Sequence, residues 1–67
     1  MYYGRNKEPK EGQLCLCRCP EWCDEGYQVA VYIDGEFQYS DQPNNWFDKK
    51  VIAWMPLNQS GEPDGNQ

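Results

Sequence analysis

The sequence predicts a small antiparallel all-β fold: a meander of about four strands, with room in its loops for a short helical turn. Residues 27–39, YQVAVYIDGEFQY, place β-branched and aromatic residues on both sides of an Asp34-Gly35 pair, the pattern of a two-residue hairpin. No segment shows a sustained 3.6-residue hydrophobic repeat, so no long amphipathic helix is expected. A chain of 67 residues is one small domain.

Four segments have the composition and alternation of β-strands. The short connections between them favour antiparallel pairing of neighbours. Proline follows the first and the last segment and ends the ladder there, because it has no amide hydrogen to donate. The predicted strands are residues 13–19, 27–33, 36–39 and 50–55.

Composition also predicts the boundaries of the domain. Residues 1–12 mix aromatic residues with charges, Pro and Gly and are interpreted as an amino-terminal arm. Residues 13–57 form the predicted β-sheet domain, in which 40–45 are a loop that Trp46 and Phe47 anchor by packing. Residues 58–67, NQSGEPDGNQ, are too polar to offset the entropy lost on ordering, so they are predicted to be a disordered tail.

The charge and hydropathy of the chain narrow the classes of partner. Eleven acidic and six basic residues give a formal net charge of −5, which disfavours nucleic-acid binding and suits a basic partner. No apolar run approaches the ~20 residues that cross a bilayer, and no signal-peptide core is visible, so no membrane association is expected. The expected location is intracellular, where thiols stay reduced.

Aromatic side chains are the predicted partner-binding residues. The odd-numbered residues of 27–33 are mostly aliphatic and are predicted to face the core, which places Tyr32 on the opposite face of the sheet. Trp22 and Trp54 are expected to join Tyr32 there. A one-layer sheet leaves that face partly open, and Tyr and Trp supply many interface hot spots. The unpaired outer strands also offer edges for pairing with another chain.

The four cysteines leave three interpretations open. Cys15, Cys17, Cys19 and Cys23 have the ligand chemistry of a zinc site, but alternate residues of a straight strand lie about 7 Å apart, farther than one tetrahedral site allows. A disulfide between Cys19 and Cys23 across the intervening proline is the second interpretation. The third and preferred one treats Cys15 and Cys17 as small buried hydrophobic residues.

The sequence offers little for catalysis. It contains no His, which excludes Ser-His, Cys-His and His-metal arrangements. The acidic pairs Asp34 with Glu36 and Asp24 with Glu25 lie at predicted turns, where carboxylates are usually solvated. The sequence therefore predicts a protein without enzymatic activity, and it identifies no catalytic residue.

One stretch resembles a known family. Ile52–Leu57, IAWMPL, resembles the closing Trp-Met-Pro-Leu-Pro signature of the domain-of-unknown-function family 551 of short phage and prophage proteins. Pro9–Gly12 is similar to the opening segment of that family, and Tyr27–Phe37 to its middle strands. Ala53 stands where the family often has His, and Asn58 where it has Pro. The resemblance implies a phage or prophage accessory protein of unassigned role, in the cytoplasm of a bacterial host, and brings no catalytic residue with it.

These observations lead to three hypotheses of function. The first is a non-enzymatic phage or prophage accessory protein without a cofactor, which binds another protein, such as a host factor, through Tyr32, Trp22 and Trp54 or through a strand edge. The second is a zinc-stabilised module held by the cysteine cluster. The third is a structural homodimer whose edge strands pair.

Overall fold

Four antiparallel strands and one short helix make up the fold in a computed structural model, which describes residues 1–39, 45–58 and 60–62. The predicted small antiparallel all-β fold is confirmed. Residues 40–44, which belong to the predicted loop, lie outside the described residues. The elements are β1 (Leu14–Arg18), β2 (Tyr27–Ile33), β3 (Glu36–Gln38), α1 (Asn45–Lys50) and β4 (Ala53–Pro56).

The strands are arranged in the order β3-β2-β1-β4. The first three form a meander, and the chain then passes through α1 to place β4 beside β1, which is the strand order of a Greek key. In this register Leu16 of β1 lies between Val29 of β2 and Met55 of β4. β1 and β2 are therefore the two central strands.

The hairpin between β2 and β3 has the predicted two-residue turn. Asp34 and Gly35 both have positive φ, of 53° and 82°, as this class of turn requires. The turn brings Tyr32 opposite Phe37 and Ile33 opposite Glu36. Glu11 supports the turn from the arm, because its carboxylate accepts the Asp34 amide at 3.2 Å.

Helix α1 occupies a position for which the sequence predicted a loop followed by a strand. Phe47 and Val51, four residues apart, point the same way and are both buried. The predicted last strand began at Lys50, but α1 extends to that residue and β4 begins at Ala53, opposite Arg18. Six residues are fewer than two turns, too few for a helical repeat to be recognised.

The core lies on one face of the sheet, called the covered face, and α1 and the arm cover it. Tyr32, Phe37 and Trp54 project from this face, with Tyr32 and Phe37 edge to face at a centroid distance of 5.0 Å. The prediction that the odd-numbered residues of β2 face the core is wrong. The large aromatic side chains and the cysteines of neighbouring strands lie on the even-numbered side and direct Ala30 and Tyr32 inward.

The amino-terminal arm packs against the β4 edge. Tyr3 forms an isolated antiparallel bridge with Trp54, through hydrogen bonds of 2.7 and 2.9 Å between their backbones. At the other end of the chain, the Asn58 side chain accepts the amides of Ser60 and Glu62 and forms a turn at the start of the predicted tail. Residues 59 and 63–67 of that tail lie outside the described part of the chain.

Candidate functional site

The second face of the sheet, called the open face, is the candidate site. Its central residues are aliphatic: Leu16, Val29 and Met55 lie side by side on three neighbouring strands. None of the residues of this face is buried, and Val29 is 45% exposed. The open face comprises Leu14, Leu16, Arg18, Tyr27, Val29, Val31, Ile33, Glu36, Gln38, Ala53 and Met55.

The apolar composition of the open face is unusual for a solvated sheet. An antiparallel sheet with one solvated face normally alternates apolar residues inside with polar residues outside. Here β2 reads YQVAVYI, and the aliphatic residues of this strand other than Ala30 lie on the open face. A strand that is apolar on both faces is typical of the middle layer between two packed surfaces. The open face therefore has the composition of a surface that becomes covered.

Arg18 marks one end of the open face. Its guanidinium carbon lies 6.0 Å from the Tyr2 ring centroid and 5.7 Å from that of Tyr27, and the two ring centroids are 6.4 Å apart. Burial, followed by the neighbouring Tyr27, raises the pKa of Tyr2. Two aromatic rings thus hold the Arg18 cation in place beside the aliphatic centre.

Acidic residues lie at the opposite end of the open face. β1 and β2 run antiparallel, so the Asp34-Gly35 turn lies at the far end of β2 from the Arg18–Tyr27 pair. The carboxylates there belong to Asp34, to Glu36 after the turn and to Glu11, which contacts the Asp34 amide. Among the residues of the open face itself, the cation Arg18 thus lies at one end and the acid Glu36 at the other, and the β1–β2 connection adds the exposed Asp24 and Glu25 beyond the Arg18 end.

The aromatic residues that the sequence assigned to partner binding lie elsewhere. Tyr32 is 8% exposed and Trp54 is 0% exposed, so the prediction that they line an exposed face is wrong. Tyr32 donates from its hydroxyl to the Glu8 carboxylate at 3.2 Å, and Trp54 donates from its indole nitrogen to the Lys7 carbonyl at 2.9 Å. Both contacts hold the arm over the covered face.

Trp22 is exposed, as predicted, but it does not join Tyr32 and Trp54 in an open aromatic face. It lies in the connection between β1 and β2, 38% exposed, and its ring packs edge to face with Phe47 at a centroid distance of 6.1 Å. Its indole nitrogen donates to the Tyr39 hydroxyl at 3.3 Å. Trp22 belongs to the side of the molecule formed by α1.

The cysteines are free thiols in the structure. Cys15, Cys17 and Cys19 are fully buried on the covered face and Cys23 is partly buried, which confirms the interpretation of Cys15 and Cys17 as small core residues. Among residues 1–39, 45–58 and 60–62, no three Cys, Asp or Glu side chains converge as a metal site requires. The zinc hypothesis thus has no assembled set of ligands in that part of the chain.

Burial suppresses the reactivity of three thiols. It raises the pKa of Cys15 to about 12 and, together with the neighbouring Cys23, the pKa of Cys19 to about 11. Burial is also the main cause of the raised pKa of Cys17, followed by the two cysteines beside it. Only the thiolate is a strong nucleophile, so these side chains are inert near neutral pH.

We expect iodoacetamide to alkylate Cys23 alone in the native protein at about pH 8. The other three thiols are fully buried and remain protonated. Intact-mass spectrometry should show one rapid addition to the folded chain and four in denaturant. A Cys23→Ser control should show no rapid addition. Rapid labelling of Cys15 or Cys17 would contradict the assignment of the covered face.

Comparison with known proteins gives no relative for the chain: no family model, no curated protein and no solved structure matches it. The resemblance of Ile52–Leu57 to a phage family therefore stays a prediction. Among the described residues, the structure contains no helix with the length and apolar character needed to span a membrane.

The sequence did not predict the open face, because the alternation of residues along a strand does not show which of its two sides faces the core. Val29, Val31 and Ile33 are stronger β-formers than Ala30, so the aliphatic side was assigned to the core. A usable signal was present in the apolar character of both sides of β2 and of β1, LCLCR. Such a pattern predicts two covered faces and hence a partner for the second one.

Proposed function

We propose that this chain is a non-enzymatic protein-binding module that engages an apolar protein surface through its open face. The observation that supports the proposal is the aliphatic centre formed by Leu16, Val29 and Met55 on an otherwise acidic molecule. Contiguous apolar patches on a monomer are typical of interaction sites. The proposed binding residues replace Tyr32 and Trp54, which are buried.

The polar rim of the open face supports the same function. Protein interfaces commonly combine an apolar centre, depleted of charge, with charged residues at the rim. Arg18 lies at one end and Asp34 at the other, so the rim can orient a partner along the strands. Arg and Tyr are enriched in interface hot spots, which favours Arg18 and Tyr27 as contributors to affinity.

We place the module among phage or prophage accessory proteins of the bacterial cytoplasm. The support for this setting is the resemblance of Ile52–Leu57 to the closing signature of the phage family. In the structure, this run supplies β4, whose Trp54 is buried in the core. The run thus has a role in folding through Trp54, and it also supplies Met55 to the aliphatic centre of the open face.

We expect peptides selected from a random library against the immobilised protein to bind the open face. Leu16→Lys places a charge at the centre of this face. It should lower the affinity of the selected peptides at least about tenfold, a loss of about 1.4 kcal/mol or more of binding free energy. The affinities can be measured by fluorescence polarisation with labelled peptides. The protein should be immobilised at low density, so that contacts between copies do not compete.

The matched control for this experiment is Trp46→Lys. Trp46 lies on α1, away from the open face, and is 69% exposed, so this substitution adds the same charge with little effect on packing. Peptides should bind the control variant as they bind the wild type. Peptides that lose affinity with Trp46→Lys and keep it with Leu16→Lys would overturn the proposed face.

A further inference from the structure

Among the described residues, the arm covers only one end of the open face, where Tyr2 lies beside Arg18 and Tyr27. The described residues leave Val29 and Tyr27 about half exposed, at 45% and 44%. The remaining segments, 40–44, 59 and 63–67, contain only Ser, Asp, Gln, Asn, Gly and Pro. These polar segments cannot replace water over an aliphatic surface with a comparable gain in free energy. A second apolar surface gains this free energy when it covers the open face.

The charges of the open face are complementary to those of the open face of a second copy whose strands run in the opposite direction. Arg18 lies at one end of β1, and Glu11 and Asp34 lie near the other end of the sheet. A two-fold axis that runs between two facing sheets, perpendicular to the strands, reverses the strand direction of the second copy. This operation places Arg18 of each copy against the acidic end of its partner and Leu16 against the aliphatic centre.

We infer that the partner of the open face is a second copy of this chain, and that two sheets pack face to face as a symmetric β-sandwich. This inference rests on the proposed protein-binding function and names the partner. Sandwiches of this kind bring two sheets to about 10 Å, with apolar side chains interdigitating between them. The contact uses the sheet faces, and it therefore differs from the edge-to-edge homodimer expected from the sequence.

The size of the open face sets the expected strength of the dimer. Four strands about 4.8 Å apart, each about five residues long, span roughly 19 Å by 17 Å. Two such faces of about 320 Å² bury roughly 650 Å² together, which is below the roughly 1,200–2,000 Å² of standard specific interfaces and is the size of a weak, transient contact. We therefore expect a weak, reversible dimer with a dissociation constant on the order of 100 μM.

Sedimentation velocity over about 1–500 μM protein tests the inference. The wild type should shift from a 7.9 kDa monomer to a species of twice that mass as concentration rises. Leu16→Lys, and independently Val29→Lys, should raise the dissociation constant at least about tenfold. Trp46→Lys should dimerise like the wild type. Circular dichroism of each variant shows that it is folded before its mass is interpreted.

A charge exchange tests the orientation of the two copies. Arg18→Glu should weaken the dimer about tenfold by opposing two acidic groups, and the added change Glu11→Arg should restore most of the loss. Glu11 is exposed, but its carboxylate accepts the Asp34 amide, so circular dichroism must show that each Glu11→Arg variant is folded before its mass is interpreted. A double variant that is weaker than Arg18→Glu alone would overturn the two-fold arrangement.

The outcomes separate this inference from the proposed function. A wild type that remains monomeric at all concentrations, or a dimer insensitive to Leu16→Lys and Val29→Lys, overturns the face-to-face dimer. If selected peptides still require Leu16 in that case, the open face binds a different protein and the proposed function stands. If they do not, both proposals fail.

Discussion

Trp54→Ala should destabilise the protein more than any other substitution proposed for it. The side chain is fully buried, lies 4.9 Å from the Tyr3 ring by centroid distance and donates its indole hydrogen to the Lys7 carbonyl. Replacing a buried Trp by Ala costs about 3–5 kcal/mol, because a cavity replaces the lost contacts. A domain of this size has roughly 3–10 kcal/mol of stability in total. The variant should lose about 15–30 °C in Tm, or show no cooperative transition at all.

Trp46→Ala is the matched control, because it removes the same side chain from an exposed position. Trp46 contacts Lys49, whose ammonium lies 5.2 Å from the ring centroid, and this contact is worth at most about 1 kcal/mol. Urea denaturation followed by circular dichroism should therefore give nearly wild-type stability for this variant. Equal losses from Trp54→Ala and Trp46→Ala would contradict the assignment of Trp54 to the core.

The Trp54 result also distinguishes the two possible assignments of the sheet faces. The sequence placed Trp54 among partner-binding residues on the basis of the aliphatic side of β2. An exposed Trp54 would tolerate truncation, whereas a core Trp54 does not. The strand register explains why Trp54 lies in the core. It places Trp54 opposite the buried Cys17, and Tyr32 opposite the buried Phe37, on the same face of the sheet.

Local chemistry made much of the fold predictable. The Asp34-Gly35 turn and β2 follow from backbone preferences that act within a few residues. The position of β4 beside β1 depends on α1, and α1 is stabilised by the burial of Phe47 and by contacts with Arg5 from the other end of the chain. Pairings so distant in sequence leave no periodic signal in either segment.

Of the candidate site, the sequence predicted only that one face of the sheet is exposed and binds a partner. The sequence led us to expect an exposed aromatic face on an acidic domain, whereas the open face has an aliphatic centre. Its residues were not predicted, because a strand such as β2 with apolar residues on both sides can be placed either way. The choice depends on the volume of Phe37 and Trp54 on one side and on the cover that α1 provides there. Neither quantity is encoded in β2 itself.

Asp48 joins three parts of the molecule in one network. Its carboxylate accepts the Phe37 amide of β3 at 2.9 Å and an Arg5 guanidinium nitrogen at 3.1 Å. Arg5 also donates to the backbone carbonyls of Asp48 and Val51, at 2.6 and 2.9 Å, and so satisfies carbonyls at the end of α1. The network fastens the arm and β3 to the helix that covers the core.

Asp48→Ala should therefore destabilise the protein by about 2–3 kcal/mol, or about 10–20 °C in Tm. The Asp48 side chain is 16% exposed, so its removal leaves the Phe37 amide in a poorly solvated site without an acceptor. Asp48→Asn keeps an acceptor oxygen while removing the charge, and should cost about half as much. Thermal melts of both variants give the comparison.

A double-mutant cycle with Arg5→Ala isolates the part of the network that joins the arm to α1. The double variant should lose about 1 kcal/mol less free energy of unfolding than the sum of the two single losses, because either substitution alone removes the same charged hydrogen bond. Lys49→Ala is the control, since Lys49 is an exposed α1 residue that contacts only Trp46 among the ring and ion contacts described. Strict additivity of the Arg5 and Asp48 changes would show that the arm is held by its Tyr3 and Trp54 pairing instead.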